Sequence, residues 1–366
     1  MRKITLLKSI CCLLFFISSF TICSQERIGV IQEGQVILLD RENGNIIDPA
    51  FISLNSGTPK ALIQVDEEIW ITYQLDDKIE RYSLDGNFLS SIDTGLDNIR
   101  GLGIVNSEVW VCNAGTGNGA PGDGIVRFDF DGNNLGFFLT TPQSVSPFDV
   151  IDNGNGEAYI SYSSTDNIER RDYSGSFLGN IVPSGVVSFV QQIAIEEPGV
   201  ILAAVFSVIS GGNQNGLYRF SETDGAIIDY WSLGNLRGVA TLGNGEILWS
   251  SGSGVSRLNP TTGISELISA GNSQFFGSLN FTTVGINEFN ENAFRFYPNP
   301  TQDLLYLSHS SEIAEVNVSN VLGQQLFTIY PQTKKVEVDL ASFPAGIYFI
   351  NLKSAGASKT LKVIKE

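Results

Sequence analysis

From residue 25 to about residue 283, apolar side chains come in short runs that alternate with polar ones, each run edged by Gly, Asn, Asp or Ser. That two-residue period predicts half-buried strands joined by tight turns, and no stretch carries a competing helical period. One such unit reads Ile125-Val126-Arg127-Phe128-Asp129-Phe130-Asp131-Gly132. Related units are Ile79 to Gly86 and Ile168 to Gly175, with looser copies at Leu217 to Gly225 and Val255 to Gly263, and a sixth, without the Arg, at Ile37 to Gly44. The six closing glycines lie 42, 46, 43, 50 and 38 residues apart, the interval of one four-stranded propeller blade. They read as turns between third and fourth strands, where a hairpin needs positive φ.

Upstream of five of these hairpins lies another strand, such as Ile69-Trp70-Ile71, Val109-Trp110-Val111 or Ala158-Tyr159-Ile160, partnered by a small-residue strand such as Gly101-Leu102-Gly103-Ile104. Small residues suit the crowded strand nearest a propeller axis. The remaining blade is split. Residues Arg27 to Ile52 supply three strands, and Gly277 to Phe281 supplies an unaccompanied inner one. Joining the two closes the ring and removes two open sheet edges. The expectation is an all-β chain with a six-bladed propeller, seven blades being the competing count. Over about residues 27–283 the set resembles the NHL/YncE-like group of six- or seven-bladed propellers, in architecture only.

Beyond residue 283 the pattern changes. Residues 284–293 form a polar linker without period, and a second domain of about seven short strands, an Ig-like β-sandwich, starts at 294. Its blocks are Phe296-Tyr297-Pro298-Asn299-Pro300, then Val318 to Gln324 including Gly323, then Leu340 to Tyr348 including Gly346, and a close at Lys359 to Lys365 including Lys362. In this order, they resemble the type A C-terminal sorting domain of the type IX secretion system. The resemblance implies passage through the periplasm and across the outer membrane, contact with the secretion machinery, and a secreted or cell-surface destination. It leaves open whether the tail is removed.

Residues 1–24 fit such a route: Arg2, Lys3 and Lys8 precede the apolar run Ile10 to Phe20, the layout of a secretory signal peptide, and the uncharged stretch is short for a membrane anchor. Removing it leaves Cys112 as the sole cysteine, so no disulfide is expected and Cys112 reads as buried filler within a strand. It also leaves 19 Lys and Arg against 39 Asp and Glu, an acidity that disfavours nucleic acid as a partner.

Candidate chemistry is sparse. The one histidine, His309, lies in the tail, so a Ser–His triad or His-ligated metal is not expected in the propeller, nor any cofactor. Asp129 to Asn134 is rich in oxygen ligands but lacks the downstream Glu of an EF-hand, and the repeat makes it a hairpin. The repeated Arg81, Arg127, Arg170, Arg219 and Arg257 read as side chains that pack between blades or pair with acids. At the segments leading into the inner strands, alignment of the repeats places Lys60, Arg100, Ser146, Gln191, Arg237 and Phe276. Three cations make a poor calcium ring and a better seat for an anionic ligand, of which Lys60, Arg100, Gln191 and Arg237 are the candidate residues. The loops Asn113 to Gly124 and Phe206 to Gly216 expand on that same face, by selection for binding or by drift. These features predict a non-catalytic recognition module for a glycan or protein. The alternative is a lactonase-like hydrolase or lyase with convergent acids near Asp149.

Overall fold

A computed structural model describes residues 22–284, 294–354 and 357–366. The proposed signal peptide, up to Thr21, and the proposed linker from residue 285 lie outside the described residues. The chain divides into two compact units, one spanning Gln25–Phe281 and the other holding the C-terminal sheet.

The first unit is a ring of six four-stranded antiparallel sheets. Five blades are sequential, at residues 59–92, 102–139, 147–182, 188–231 and 236–270, numbered here 1 to 5. Blade 6 combines the inner strand Ser273–Val284 with Ile22–Gln32, Gln35–Asp40 and Ile46–Ser53 from the opposite end of the unit. The split blade thus closes the ring, through an inner strand longer than the Gly277–Phe281 core of the repeat. All six repeat glycines have positive φ, between 69° and 92°, and stand between third and fourth strands.

Six apolar clusters fill the six interfaces between neighbouring blades. Trp70 of blade 1 meets Val109 and Phe128 of blade 2, and Trp110 of blade 2 meets Ile160 and Tyr162 of blade 3. The circle ends where Ile31 and Leu38 of blade 6 meet Ile71 and Tyr82 of blade 1. Burying each such side chain contributes about 1.5–3 kcal/mol, so alternation within the strands becomes cohesion around the ring. Cys112 sits in one of these clusters, fully buried, and burial pushes its thiol well above its usual pKa. Near the axis the inner strands crowd one another. A Cβ on Gly103 would lie 2.3 Å from the Val150 carbonyl oxygen, which is why this strand is built of small residues.

The repeated arginines hold blades together. Arg81, Arg170 and Arg257 pair at 2.6, 2.7 and 3.1 Å with Glu68, Glu157 and Glu246, each at or just before the start of the second strand of the same blade. Arg81 also donates to the Asp131 carbonyl (2.7 Å) and Arg257 to that of Asn43, both in the third-to-fourth turn of the following blade. Asp129 to Asn134 is a hairpin turn, its Asp129 carboxylate accepting from the Asn133 backbone N–H (2.7 Å).

The C-terminal unit is a sandwich-like arrangement of six strands rather than seven, because Leu304–Asn320 runs as one long strand. Its first half pairs with Phe294–Tyr297 and Thr333–Asp339, and its second with Gln325–Ile329 and Gly346–Ser354. A break in register between Ser308 and Ile313 lets one strand serve both halves, around a core that includes Leu305, Val316, Val338 and Ile350.

Candidate functional site

The inner strands of four blades carry a β-bulge near their start. The ladder slips between Pro59 and Ala61, Pro147 and Asp149, Val190 and Ile193, and Leu236 and Gly238. A bulge leaves one residue unpaired and re-aims its side chain. The residues so released are Lys60, Phe148, Gln191 with Gln192, and Arg237. Arg100 holds the matching place before Leu102–Val105, and Gln274 does so in Ser273–Val284. Lys60, Arg100, Phe148, Gln191, Arg237 and Gln274, one from each blade, line a cavity of about 470 Å³ at the mouth of the channel.

The structure therefore brings Lys60, Arg100, Gln191 and Arg237 together. Ser146 and Phe276, assigned to this ring by repeat alignment, are each two residues off. Phe148 and Gln274 stand there instead, Ser146 accepts a hydrogen bond from Arg100 (3.0 Å), and Phe276 lies further along its strand. The bulges shift the register in a way that residue spacing does not reveal.

Lys60 is buried and its ammonium donates to the side-chain oxygens of Gln191 (2.9 Å) and Gln274 (3.0 Å). It also lies over the rings of Phe148 (4.9 Å) and Phe275 (4.6 Å), contacts that favour the charged form. Burial nevertheless pushes its pKa well down, and the charges of Arg237 and Arg100 push the same way. Arg100, also buried, lies over the same Phe148 ring (4.8 Å), and its Nη1 donates to Ser146 Oγ, the Pro147 carbonyl (3.2 Å) and Ser163 Oγ (3.3 Å). Its Nε is buried without a hydrogen-bond partner among the described residues. Arg237, half-buried, donates to Asn272 Oδ1 and to the Ser273 carbonyl (3.2 Å). Burial lowers both guanidinium pKa values from their ordinary range.

The backbone that carries these groups is fastened by a device the sequence reading missed. Asp77, Asp123 and Asp166, each just ahead of or opening onto the third strand of its blade, accept from the backbone N–H of Asn98 (2.8 Å), Ser146 (2.9 Å) and Phe189 (2.7 Å) in the next blade. Those three residues stand two places before Arg100, Phe148 and Gln191, and all have positive φ, 51°, 69° and 55°. For a bulky aromatic such as Phe189 this conformation is strained, and strain of that kind concentrates at functional sites. The signal was present as the recurring Asp77-Lys78-Ile79, Asp123-Gly124-Ile125 and Asp166-Asn167-Ile168.

Of the two long loops, the one at 113–124 folds back on the segment before Arg100, where Asn118 donates to the Asp93 carbonyl and Gly117 N–H to Asp97. The other begins at Phe206, which does line the cavity. The single carboxylate among the lining residues is Glu33. Asp149 lines a second cavity of about 270 Å³ further along the inner strands, where burial raises its pKa to about 8 and its Oδ2 accepts from the Ile193 N–H (3.0 Å). Asp152 lines that cavity too, but its oxygens are engaged by Tyr173, Gly154 and the Asn106 N–H. The acids near Asp149 thus serve backbone and turns, and they do not converge on the channel mouth. Among the described residues no three His, Cys, Asp or Glu side chains group to hold a metal ion.

In the C-terminal unit the motif residues close the domain. Asn299 clips the last strand, donating to the Lys362 carbonyl (3.1 Å) and accepting from the Ile364 N–H (2.8 Å). Gly323, at φ 78°, and Gln324 complete a turn around Asn320, and buried Tyr348 donates to the Pro344 carbonyl (2.6 Å). Gly346 opens the strand that pairs with the last one, and Lys362 is exposed on that last strand. Tyr297 is exposed and stacks on Tyr306, beside Pro298 and Pro300 in the segment that Asn299 anchors.

Residues 295–366 match the family described as a secretion system C-terminal sorting domain. The protein is thus a six-bladed β-propeller with a type IX sorting tail, which directs it to the cell surface or the extracellular space by way of the type IX machinery. No helix among the described residues is long and apolar enough to cross a membrane. None of the curated proteins matches the chain. Among solved structures, a chain from the crystal structure of a nidogen/laminin complex is similar at 14% identity and a TM-score of 0.56, over 69% of this chain and 98% of that one. A protein of unknown function from Bacteroides caccae is similar at 14% identity and a TM-score of 0.51, over 70% and 99%. At such identity the likeness extends to the fold alone.

Proposed function

We propose that the propeller is a non-catalytic recognition module, and that its ligand presents a negative charge to the channel-mouth cavity formed by Lys60, Arg100 and Arg237. The observation that carries this reading is the meeting of three cations in one partly buried cavity with a single carboxylate on its rim, in a chain whose net charge is −17. Like charges in a low-dielectric site repel, and an anion relieves that cost. Sorting to the cell exterior places the cavity where it meets ligands of the surroundings. Lactonase-like chemistry gains no support from geometry, since the cavity lacks a carboxylate pair or oxygen cage.

Titration of the secreted protein with small organic and inorganic anions tests the proposal. Saturable binding is expected, weaker at high ionic strength and weakened further by Arg237→Gln. Turnover of a bound compound that disappears with the same substitution would replace the binding role with an enzymatic one.

A further inference from the structure

The cavity's cations stand beside an aromatic wall. Phe148, Phe189 and Phe206 follow one another from the inner strands toward the rim, with ring centroids 5.1 and 5.2 Å apart. They belong to blades 3 and 4, so the wall stands between Arg100 of blade 2 and Arg237 of blade 5. The strained backbone of Phe189 is held for the middle ring of this series, and the Phe206 carbonyl is tied down by Asn235 Nδ2 (2.8 Å).

Glu33 on the rim is engaged by the Asn272 N–H (3.3 Å), and the groups that Lys60 organises beside the wall have one character. An ammonium offers only donors, so Lys60 fixes the amides of Gln191 and Gln274 with their oxygens toward itself. Neither amide NH2 is engaged in a hydrogen bond among the described residues. What remains for a ligand is therefore a set of donors, from amides and guanidinium groups, next to flat apolar rings. A carboxylate alone would satisfy the cations and leave the rings unused. A hydrophobic ring would cover the rings and leave the amide donors unmatched.

Resting on the anion-binding reading above, we infer that the ligand is an acidic sugar: a pyranose whose C–H face packs on Phe189 and Phe206, whose carboxylate meets Arg237, and whose hydroxyl oxygens accept from Gln191 and Gln274. A cavity of about 470 Å³ falls within the usual range for small ligands, roughly 300–1,000 Å³, and suits about one or two rings. A free uronate and the end of an acidic polysaccharide present the same chemistry.

The test is calorimetric titration of the secreted full-length protein with glucuronate and galacturonate, their short oligomers, the neutral parent sugars, inorganic phosphate and a Glu-rich peptide. Uronates are expected to bind at least about tenfold more tightly than the neutral sugars or phosphate, with Arg237→Gln and Phe206→Ala each costing about tenfold. Phe206→Leu, which keeps an apolar rim with less flat surface, should cost less than Phe206→Ala, while unchanged melting temperatures would show that all three variants fold. Tighter binding of oligomers than monomers identifies a polymer as the source, and equal binding identifies the free sugar acid. Phosphate or the peptide binding as well as uronates, with Phe206→Ala silent, overturns the acidic-sugar inference and leaves the anion site standing. No anion binding at all, or indifference to Arg237→Gln, overturns both.

Discussion

The propeller and the sorting tail use recurring and single-copy residues in opposite ways. In the propeller the residues that repeat are scaffold: glycines that turn the third strand into the fourth, arginines that tie Glu to the next blade's turn, and aspartates that fasten the next blade's backbone. The residues at the equivalent cavity position vary from blade to blade, being Lys, Arg, Phe, Gln, Arg and Gln around the ring. In the tail each motif occurs once, and part of it is spent on closure, as with Asn299, while part stays exposed, as with Tyr297, Val321 and Leu322. A repeated motif thus reports how a ring is assembled, and a single-copy motif at the end of the chain reports an address. The ligand is encoded where the repeat is broken.

The strongest way to break this comparison is to remove the address. Deleting residues 294–366 takes no strand from the propeller, whose inner closing strand Ser273–Val284 ends before the tail begins. The truncated chain is expected to remain in the periplasm, folded and melting cooperatively, with the extracellular fraction reduced to background. Equal amounts of truncated and full-length protein outside the cell would show that the tail is not the export signal. An insoluble truncated product would show that the two units depend on one another to fold.

How far each region could be read from the sequence follows from the same distinction. The blade count was legible because Gly44, Gly86, Gly132, Gly175, Gly225 and Gly263 recur, and the tail because its blocks stand in a fixed order. Lys60, Arg100, Gln191 and Arg237 were found by asking what occupies equivalent places, but Phe148 and Gln274 were missed by two residues each. A β-bulge is a feature of pairing between two strands, and one strand's side-chain pattern does not announce it. The aromatic wall was illegible for a related reason: Phe189 and Phe206 face each other across one hairpin, between the Ser188–Ser207 and Val190–Val205 pairs, and Phe148 joins them only through the neighbouring blade.

Within the propeller, buried pairing should matter far more than exposed pairing. Arg171 and Glu169 are both almost fully buried at 2.9 Å, with Arg171 also donating to the carbonyls of Gly175 and of Thr140, just after the last strand of blade 2. Arg171→Met leaves the Glu169 carboxylate buried with only the Tyr162 hydroxyl, and is expected to cost about 3–5 kcal/mol in denaturant unfolding. Removing the solvent-facing pair of Arg257 with Glu266, by Glu266→Gln, should cost less than about 1 kcal/mol. Similar losses from the two variants would mean that the blade interface is wetter than described.

The repeat glycines allow a finer cut, because two of them share a conformation but differ in surroundings. Gly225 and Gly263 have φ of 69° and 70°. A Cβ at Gly225 would lie 1.8 Å from the Ile181 carbonyl oxygen of the neighbouring blade, whereas at Gly263 nothing lies within 4 Å. Gly263→Ala should cost about 1 kcal/mol from the turn conformation alone, and Gly225→Ala about 2–3 kcal/mol because the blades must also part. Equal costs would assign the shared geometry of these positions to the turn and none of it to packing between blades.

A pH-dependent effect is expected at the axis, where a carboxyl is held in the ring's interior. Burial raises the pKa of Asp149 to about 8, against the pull of the Ile193 and Val150 N–H groups and the charge of Lys60. A carboxyl whose pKa rises on folding keeps its proton in the native state at pH values where the unfolded chain has lost it. Stability from this group is therefore full below about pH 4, declines as pH rises toward 8, and is flat beyond. Burial pushes the pKa of Lys60 the other way, so its contribution to stability rises with pH toward the unfolded lysine range. Asp149→Asn keeps the side chain's size and removes its titration, so the loss of stability between about pH 5 and 8 should shrink by about 3–4 kcal/mol relative to the parent. Parallel pH profiles for parent and variant would show that Asp149 is ionised throughout, with Lys60 as its charged partner. The cavity would then hold two cations free to meet a ligand instead of three.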